Sequence, residues 1–238
     1  SDDPDKQDRV LGTLKEYRPD GLIVCPADRA SALSLTSMAE AGVPVVQISR
    51  EIANIGLDFV GSDDAAGTRL ALEHLIGLGH RRIALIGGTD GMSTGRNRRG
   101  AWRRIVASHG LDTDEALLVP GLGTRELGFA AIARLFDQPN PPTALVAFND
   151  LIAFGAILGL RARGLEAGRD VSVVGCDDVK EAALWAPGLT TVANHQDEMG
   201  KRAAERILAR IVNPRLAAER ILIAPTLVVR GTTSRVAA

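Results

Sequence analysis

Apolar residues follow two periods along this chain, and segments with the two periods alternate. Short β-branched and apolar runs predict buried strands at 21–26, 43–49, 57–62, 82–88, 143–148, 171–176, 189–194 and 226–231. Apolar residues at three- and four-residue spacing predict helices at 64–78, 95–109, 125–137, 150–163 and 196–212, and a helix-like segment at 5–17 precedes the first strand. Strands alternating with helices are typical of a parallel sheet covered on both faces, so the pattern predicts an α/β fold.

Polar side chains follow most of the predicted strands, at the point where each strand ends. Ligands of open parallel sheets bind outside the carboxyl ends of the strands, so these positions are candidates for ligand contact. The polar candidates at these strand ends are Ser49, Asp63, Asn149, Asp177 and Asn194, and the aromatic Phe148 at the end of its strand is a further candidate. Asp, Asn and Arg pair donors with acceptors, as neighbouring sugar hydroxyls require. The alternative is that loop residues are polar anyway or cap the next helix, which is the interpretation we favour for Asp150.

The helix predicted at 95–109 carries a cluster of arginines, of which one is a candidate ligand residue. Arg98 lies four residues before Trp102 and shares its inward stripe, whereas Arg96, Arg99 and Arg103 share a different stripe. An inward arginine requires an anionic or polyhydroxyl partner, because burying an unpaired charge is costly. The partner could be a ligand or an internal carboxylate. Thr94, one turn earlier, is predicted to cap the helix and to offer its hydroxyl to the same ligand.

Composition and charge exclude several classes of protein. With a net charge of -1 and a pI near 6.4, the chain has no positive field to attract nucleic acid or an anionic membrane, so any DNA contact would have to be made elsewhere. Cys25 and Cys176 lie in separate apolar runs, which predicts buried thiols in a reducing compartment rather than a disulfide or a zinc site. The polar beginning and the lack of a long apolar run predict a cytoplasmic protein without a membrane segment.

Three enzymatic or cofactor motifs were compared with the sequence, and each lacks its context. Residues 91–95 match the Gly-x-Ser-x-Gly nucleophile elbow of hydrolases around Ser93, but Gly88, Thr89 and Asp90 precede this pattern, whereas an elbow places its serine at a sharp turn directly off the strand. Neither the dinucleotide-binding nor the P-loop glycine pattern is complete, since Glu126 and Arg202 stand where each motif requires another residue. The four histidines show no metal-ligand spacing. We therefore predict no catalytic residue, metal or cofactor.

Several segments together resemble the LacI/GalR family of transcriptional regulators, and the resemblance extends over essentially the whole chain. The segments are RPDGLIVCP, GVPVVQISR, VGSDDAAGTRLALEHLIGLGHRRIALIGG, PPTALVAFNDLIAFGAILGLRARGL, DVSVVGCDDV, PGLTTVANHQDEMGKRAAERIL and TLVVRGTTS. The resemblance implies a type I periplasmic-binding-protein-like fold, in which two Rossmann-like parallel-sheet lobes are joined by three crossover segments, here near 61–64, 193–194 and 222–226. We expect one lobe to comprise 1–62 and 194–222, and the other 63–193 and 223–238.

The resemblance also implies roles for individual residues. Aligned through Trp102 and Gly110, Thr94 and Arg98 fall at the start of the effector-contacting helix of the family. Asn149 matches the Asn of its Asn-Asp pair, Asp177 the first Asp after its VVG strand, and Asn194 a polar crossover position. Two departures bear on the identity of the ligand: Ser49 stands where an acidic residue is frequent, and Gly123 lies near a position that is aromatic in some members.

The expected function is therefore that of an effector-sensing domain without its DNA-binding head. In the family, a small molecule between the lobes changes operator binding by an N-terminal helix-turn-helix head, and such regulators form homodimers. No such head, and no first strand with its ligand-contacting loop, is recognisable here, so the chain is expected to sense but not to bind DNA. A sugar is the expected effector, with a nucleobase or sugar phosphate as alternatives. A periplasmic-type sugar receptor for transport and a hydrolase using Ser93 are the alternative functions.

Overall fold

A computed structural model describes residues 2–236, and it alternates strands and helices along the chain. The helices are α1 (Pro4–Tyr17), α2 (Ala32–Glu40), α3 (Asp64–Gly77), α4 (Ser93–Ser108), α5 (Arg125–Phe136), α6 (Asp150–Ala162), α7 (Lys180–Leu184) and α8 (Gln196–Val212). The strands are β1 (Leu22–Val24), β2 (Val45–Ile48), β3 (Asp58–Ser62), β4 (Ile83–Ile86), β5 (Leu118–Val119), β6 (Ala144–Ala147), β7 (Ser172–Cys176), β8 (Thr190–Ala193), β9 (Arg220–Ile223) and β10 (Thr226–Val228). This order confirms the predicted α/β class.

All the strands and helices predicted from periodicity are present, and four short elements were missed. Strand β5 has only two residues, and β9 begins with an exposed arginine and also exposes Leu222, so neither produces a clear apolar run. Helices α2 and α7 are too short for a helical period to be distinct. Short elements are therefore where periodicity fails.

The first of two compact units contains the chain up to Asp63, Asp90–Thr94 and His195–Ile223. Its sheet has the order β1-β2-β3-β9, and all neighbouring strands are parallel. Val45 packs with α1 and α2 on one face, and the next residue, Val46, packs with α8 on the other. This alternation follows from the two-residue period of a strand, and it gives the unit two small apolar clusters.

The second unit contains Asp64–Thr89, Gly95–Asn194 and the chain from Ala224 onward. Its sheet has the order β10-β8-β7-β6-β4-β5, in which β10 is antiparallel to β8 and the other pairs are parallel. Strand β10 was predicted, but its antiparallel orientation was not. One continuous core surrounds this sheet and includes the fully buried Trp102, Leu145 and Phe154.

Helices α5 and α6 pack closely in this unit because glycines face the partner backbone. A Cβ at Gly155 would lie 2.0 Å from the carbonyl oxygen of Arg125, and one at Gly128 would lie 2.1 Å from that of Ile152. No side chain fits at either distance. The close approach fixes α6, whose first turn borders the candidate site.

The chain passes from one unit to the other after Asp63, after Asn194 and after Ile223, and Asp90–Thr94 groups with the first unit. The lobe boundaries inferred from the sequence stay a prediction. Among residues 2–236, no helix is both long and apolar enough to cross a membrane.

The two cysteines differ, which corrects one expectation. Cys176 is buried as predicted, but Cys25 is exposed. Cys25 follows β1, which lies at the edge of its sheet and has a neighbouring strand on one side only. An apolar run at a sheet edge therefore does not guarantee burial.

Candidate functional site

Four of the predicted site residues lie at the carboxyl ends of neighbouring strands in the second unit. Phe148 and Asn149 follow β6, Asp177 follows β7 and Asn194 follows β8. Because β6, β7 and β8 are adjacent and parallel, these residues emerge at one edge of the sheet. Arg98 reaches the same edge from α4.

Arg98 is held by contacts with a carboxylate, a carbonyl and an aromatic ring. Its Nε donates to Oδ1 of Asp64 at 2.9 Å, and its Nη1 donates to the carbonyl oxygen of Phe148. The guanidinium carbon lies 4.5 Å from the centroid of the Phe148 ring, a cation–π geometry. Burial favours a lower pKa for Arg98, but the carboxylates of Asp64 and Asp177 hold that pKa above its ordinary value. Asp64 is therefore the internal carboxylate that the sequence analysis allowed as a partner of Arg98. Contact between Arg98 and a ligand stays a prediction.

Asp177 and Asn194 form a second polar pair beside this arginine. Nδ2 of Asn194 donates to Oδ1 of Asp177 at 2.8 Å and contacts Sγ of Cys176 at 3.3 Å. Burial raises the pKa of Asp177, and the positive charge of Arg98 and the hydrogen bond from Asn194 oppose that rise. Burial also raises the pKa of Cys176 to about 12, so this residue remains a neutral thiol.

One donor and one acceptor of these pairs are not used by the protein. Among the described residues, Nη2 of Arg98 and Oδ2 of Asp177 make no hydrogen bond. The backbone of Asp177 has a φ of +116°, a conformation that few non-glycine residues adopt. Strain of this kind is typical of functional positions.

Asn149 caps α6 and Asp150 does not, so the cap expected at Asp150 was wrong. Oδ1 of Asn149 accepts a hydrogen bond from the amide of Ile152 at 2.9 Å, and its Nδ2 donates to the carbonyl of Gly123 at 3.1 Å. The reason is geometric, since the extended backbone of Asn149 makes it the residue before the first helical turn. Both polar groups of Asn149 thus serve the protein, and its contact with a ligand stays a prediction.

Gly123 accommodates this use of Asn149. A Cβ at Gly123 would lie 2.6 Å from Nδ2 of Asn149. The amide of Asn149 therefore occupies the space that an aromatic side chain would need at this position.

Asp150, the first residue of α6, is fully buried and binds two other segments. Its Oδ1 accepts from Oγ1 of Thr191 at 2.6 Å, and its Oδ2 accepts from the amide of Val179 at 2.9 Å. Burial raises the pKa of Asp150 to about 7 despite these two bonds. Asp150 therefore ties the segment that contains Asp177 to β8.

The remaining candidates, Ser49, Asp63 and Thr94, belong to the first unit. Ser49 has a φ of +65°, and its amide donates to the carbonyl of Val60. The amide of Asp63 donates to the carbonyl of Ile223. Thr94 is not the predicted cap, because α4 begins at Ser93 and the buried Oγ1 of Thr94 has no hydrogen-bond partner within the described chain. For all three, contact with a ligand stays a prediction.

Two residues that bear on the site were not among the candidates. Asp64 begins α3 directly after the predicted candidate Asp63. The need of a buried Arg98 for a carboxylate partner is the signal that could have identified Asp64. Arg99 was assigned to a stripe that need not face inward, yet it is buried and donates to the carbonyl of Gly88 at 2.7 Å. No periodicity distinguishes a buried arginine that binds a loop carbonyl from a solvated one.

Ser93 is held by backbone contacts rather than by a catalytic base. Its Oγ accepts from the amide of Glu51 at 2.9 Å. His74, His80 and His109 make their hydrogen bonds elsewhere, for example between His80 and Ser172. Among the described residues, no group of three His, Cys, Asp or Glu side chains could hold a metal ion.

Comparison with known proteins supports one family. Residues 72–233 match the periplasmic binding protein-like domain. The chain is 35% identical to the HTH-type transcriptional regulator DegA of Bacillus subtilis over 235 residues, which cover 98% of this chain and 69% of DegA.

Solved structures agree with this match. The complex of the transcriptional regulator CelR with cellobiose has a TM-score of 0.87 and 32% identity, over 94% of this chain and 69% of CelR. A LacI family regulator from Enterococcus faecium with bound ribose has the same TM-score of 0.87 and 26% identity, over 96% of this chain and 85% of that one. These relatives are regulators of transcription, not enzymes. The chain belongs to the LacI family of transcriptional regulators and is the effector-binding core of such a protein.

Proposed function

We propose that this chain senses a small carbohydrate at the carboxyl ends of β6, β7 and β8, and that binding alters operator recognition by a helix-turn-helix head of the full-length regulator. Two solved relatives support a saccharide, since one was determined with cellobiose and another with ribose. A regulator that acts on DNA would work in the cytoplasm. A homodimer is proposed from the family resemblance, and a monomeric mass in sedimentation equilibrium would contradict it.

The observation that carries the proposal is the paired donor and acceptor of Arg98 and Asp177. Nη2 of Arg98 can donate to one sugar oxygen, while Oδ2 of Asp177 can accept from a neighbouring hydroxyl. Both side chains are already oriented by Asp64, Phe148 and Asn194, so little conformational entropy is lost when a ligand binds. A preformed set of a few polar groups in a sheltered site is typical of small-molecule sites.

The test is a thermal-shift and calorimetric screen of the full chain with D-ribose, D-glucose, D-galactose and cellobiose. A ligand at about 100 times its dissociation constant stabilises the folded state by roughly 2.7 kcal/mol, which a thermal shift detects. We expect Asp177→Asn to remove the shift, because the new amide presents a donor where the carboxylate offered an acceptor. The same amide oxygen can still accept from Asn194, so folding is retained.

The matched control is Asp178→Asn, one residue further along the same segment. The carboxylate of Asp178 is engaged by Arg230 at 2.7 Å, so its loss should leave the saccharide shift unchanged. The proposal is wrong if no saccharide shifts the wild-type melting temperature, or if Asp177→Asn binds as tightly as the wild type.

A further inference from the structure

We infer that this site selects uncharged ligands over anionic ones, and that Asp64 determines this selectivity by neutralising Arg98. The inference rests on the proposed function and narrows it, because sugar phosphates and sugar acids would be excluded. It follows from how the charges around the candidate ligand groups are already paired.

The positive charge of Arg98 is engaged by Asp64 before any ligand arrives. Oδ1 of Asp64 accepts from Nε of Arg98 at 2.9 Å, and Oδ2 accepts from Nδ2 of Asn97 at 3.3 Å. Both oxygens therefore face α4, and the Asp64 side chain is only 6% exposed. Arg98 retains a hydrogen-bond donor in Nη2, but its charge is balanced.

The negative charge of Asp177 is not balanced in the same way. Its hydrogen-bond partner is the neutral amide of Asn194, and Arg98, whose positive charge lowers the pKa of Asp177, is paired with Asp64. Arg99 donates instead to the carbonyl of Gly88 and attracts Glu115. With Asp177 ionised, Arg98, Asp64 and Asp177 together carry one net negative charge.

Two helix N-termini at this edge, those of α3 and α6, already contain a carboxylate. Helix N-termini attract anions through their unpaired amides and macrodipole. Here α3 begins with Asp64 and α6 begins with Asp150, so each first turn already contains a carboxylate. A hydroxyl that donates to Asp177 is favoured at this site, whereas a carboxylate or phosphate would be repelled by it.

The experiment compares neutral sugars with their anionic counterparts by isothermal titration calorimetry on the full chain. The pairs are D-glucose with D-glucuronate, D-ribose with D-ribose 5-phosphate, and cellobiose with cellobionate. We expect the neutral member of a binding pair to bind at least about tenfold more tightly, a modest effect for two like charges a few ångströms apart near a protein surface.

Asp64→Asn tests the residue itself. The amide oxygen can still accept from Arg98, but the charge of Arg98 becomes available to a ligand. We expect the preference for the neutral member to fall by about tenfold. The control is Asp112→Asn, which removes the same charge from an ion pair with Arg82 at the opposite, amino end of β4 and should leave the preference unchanged.

The outcomes separate the inference from the proposed function. Equal or tighter binding of an anionic member to the wild type, or an unchanged preference in folded Asp64→Asn, overturns the inference and leaves saccharide binding intact. If Asp64→Asn fails to fold, the relative affinity of the wild type for neutral and anionic sugars still decides whether the site selects uncharged ligands. If no saccharide of either charge binds, the proposed function is wrong and the inference falls with it.

Discussion

The two units of the molecule each bury an aspartate completely, and they treat its charge in opposite ways. Asp58, at the start of β3 in the first unit, accepts hydrogen bonds from Nε of Arg206 at 2.9 Å, from Arg210, and from the amide of Glu219 at 2.8 Å. Burial works to raise the pKa of Asp58, but these bonds hold that pKa below its ordinary value. Asp58 is therefore ionised at neutral pH.

Asp150 in the second unit is buried to the same extent, but its hydrogen-bond partners in residues 2–236 include no cation. It accepts from the hydroxyl of Thr191 and the amide of Val179, and the like charges of Asp177 and Asp178 also favour its neutral form. Burial is the largest cause that raises its pKa to about 7. Equal burial thus leads to opposite shifts, and the partner decides which form the folded protein prefers.

The contrast reflects what each aspartate connects. Asp58 joins β3 to α8 and to the segment before β9, where two arginines are available. Asp150 joins the segment after β7 to β8, next to the unused acceptor of Asp177. A cation beside Asp150 would also attract Asp177, so the lack of one is compatible with a free carboxylate at the candidate site.

Removing the first aspartate should have the largest effect. Asp58→Ala removes the carboxylate that Arg206 and Arg210 share, although their side chains are only 11% and 15% exposed. Arg206 keeps its ion pair with the half-exposed Glu219 at 3.1 Å, whereas Arg210 keeps only the carbonyl of Ala217 among its described partners. Breaking a buried pair by deleting one partner costs about 3–5 kcal/mol, so we expect a loss of that size in the free energy of unfolding measured with urea. A loss below about 1 kcal/mol would show that the arginines find other partners. The contrast between a cation-paired Asp58 and an unpaired Asp150 would then have no energetic consequence.

Replacing Asp150 should reveal a pH dependence of stability opposite in sign to that of an aspartate, such as Asp58, whose pKa is lowered. The pKa of Asp150 is raised from its unfolded value of 3.8 to about 7. The contribution of Asp150 to the free energy of unfolding is therefore greatest at low pH and falls as the pH rises between these values. Asp150→Asn keeps an acceptor for Val179 and can donate to Thr191, but it cannot ionise. Relative to the wild type, we expect the variant to gain about 2–4 kcal/mol between pH 4 and pH 8.

Urea unfolding of both proteins across this range measures the difference, in which the other titrating groups cancel. A constant difference would mean that Asp150 is ionised throughout the range, as Asp58 is, and the contrast between the two units would disappear.

The fold could be predicted from the sequence more completely than the hydrogen-bond partners of these buried side chains could. Long apolar runs such as 82–88 located β4. The polar residues after the strands pointed to Asp177 and Asn194, and the inward stripe of the helix at 95–109 pointed to Arg98, all in one unit. Such inferences depend on local periodicity and on the geometry of parallel strands. Which of Asn149 and Asp150 caps α6 depends instead on one backbone angle, so the sequence assigned the cap to the wrong residue.

The pairing of Arg98 with Asp64 was equally hard to predict. The two residues are 34 positions apart, and Asp63 and Asp64 are chemically identical in the sequence. Only the start of α3 distinguishes them, since it turns the side chain of Asp64 towards α4. Long-range partners of buried charges therefore require the tertiary structure.

A smaller effect is expected from the hydroxyl that supports Asp150. Thr191→Val keeps the shape of a fully buried side chain but removes the donor to Oδ1 of Asp150. We expect a loss of about 1–2 kcal/mol at pH 8, where the carboxylate is ionised, and less at pH 5, because hydrogen bonds to charged groups are the stronger ones. An equal loss at both pH values would indicate that Thr191 contributes by packing alone.

The smallest effect should come from an ion pair on the helix that supplies the partners of Asp58. Arg202 and Glu205 lie 3.4 Å apart on the outer face of α8, with side chains 45% and 51% exposed. Exposed pairs contribute about 0–1 kcal/mol, so Arg202→Ala should change the free energy of unfolding by less than about 0.5 kcal/mol. Arg206, one turn further along α8, lies on the buried side. The free energies of unfolding of Arg202→Ala and Arg206→Ala therefore compare an exposed and a buried ion pair within one helix. If both cost the same, burial would not explain the strength of the Asp58 cluster, and the packing of the aliphatic part of each arginine would have to be measured instead.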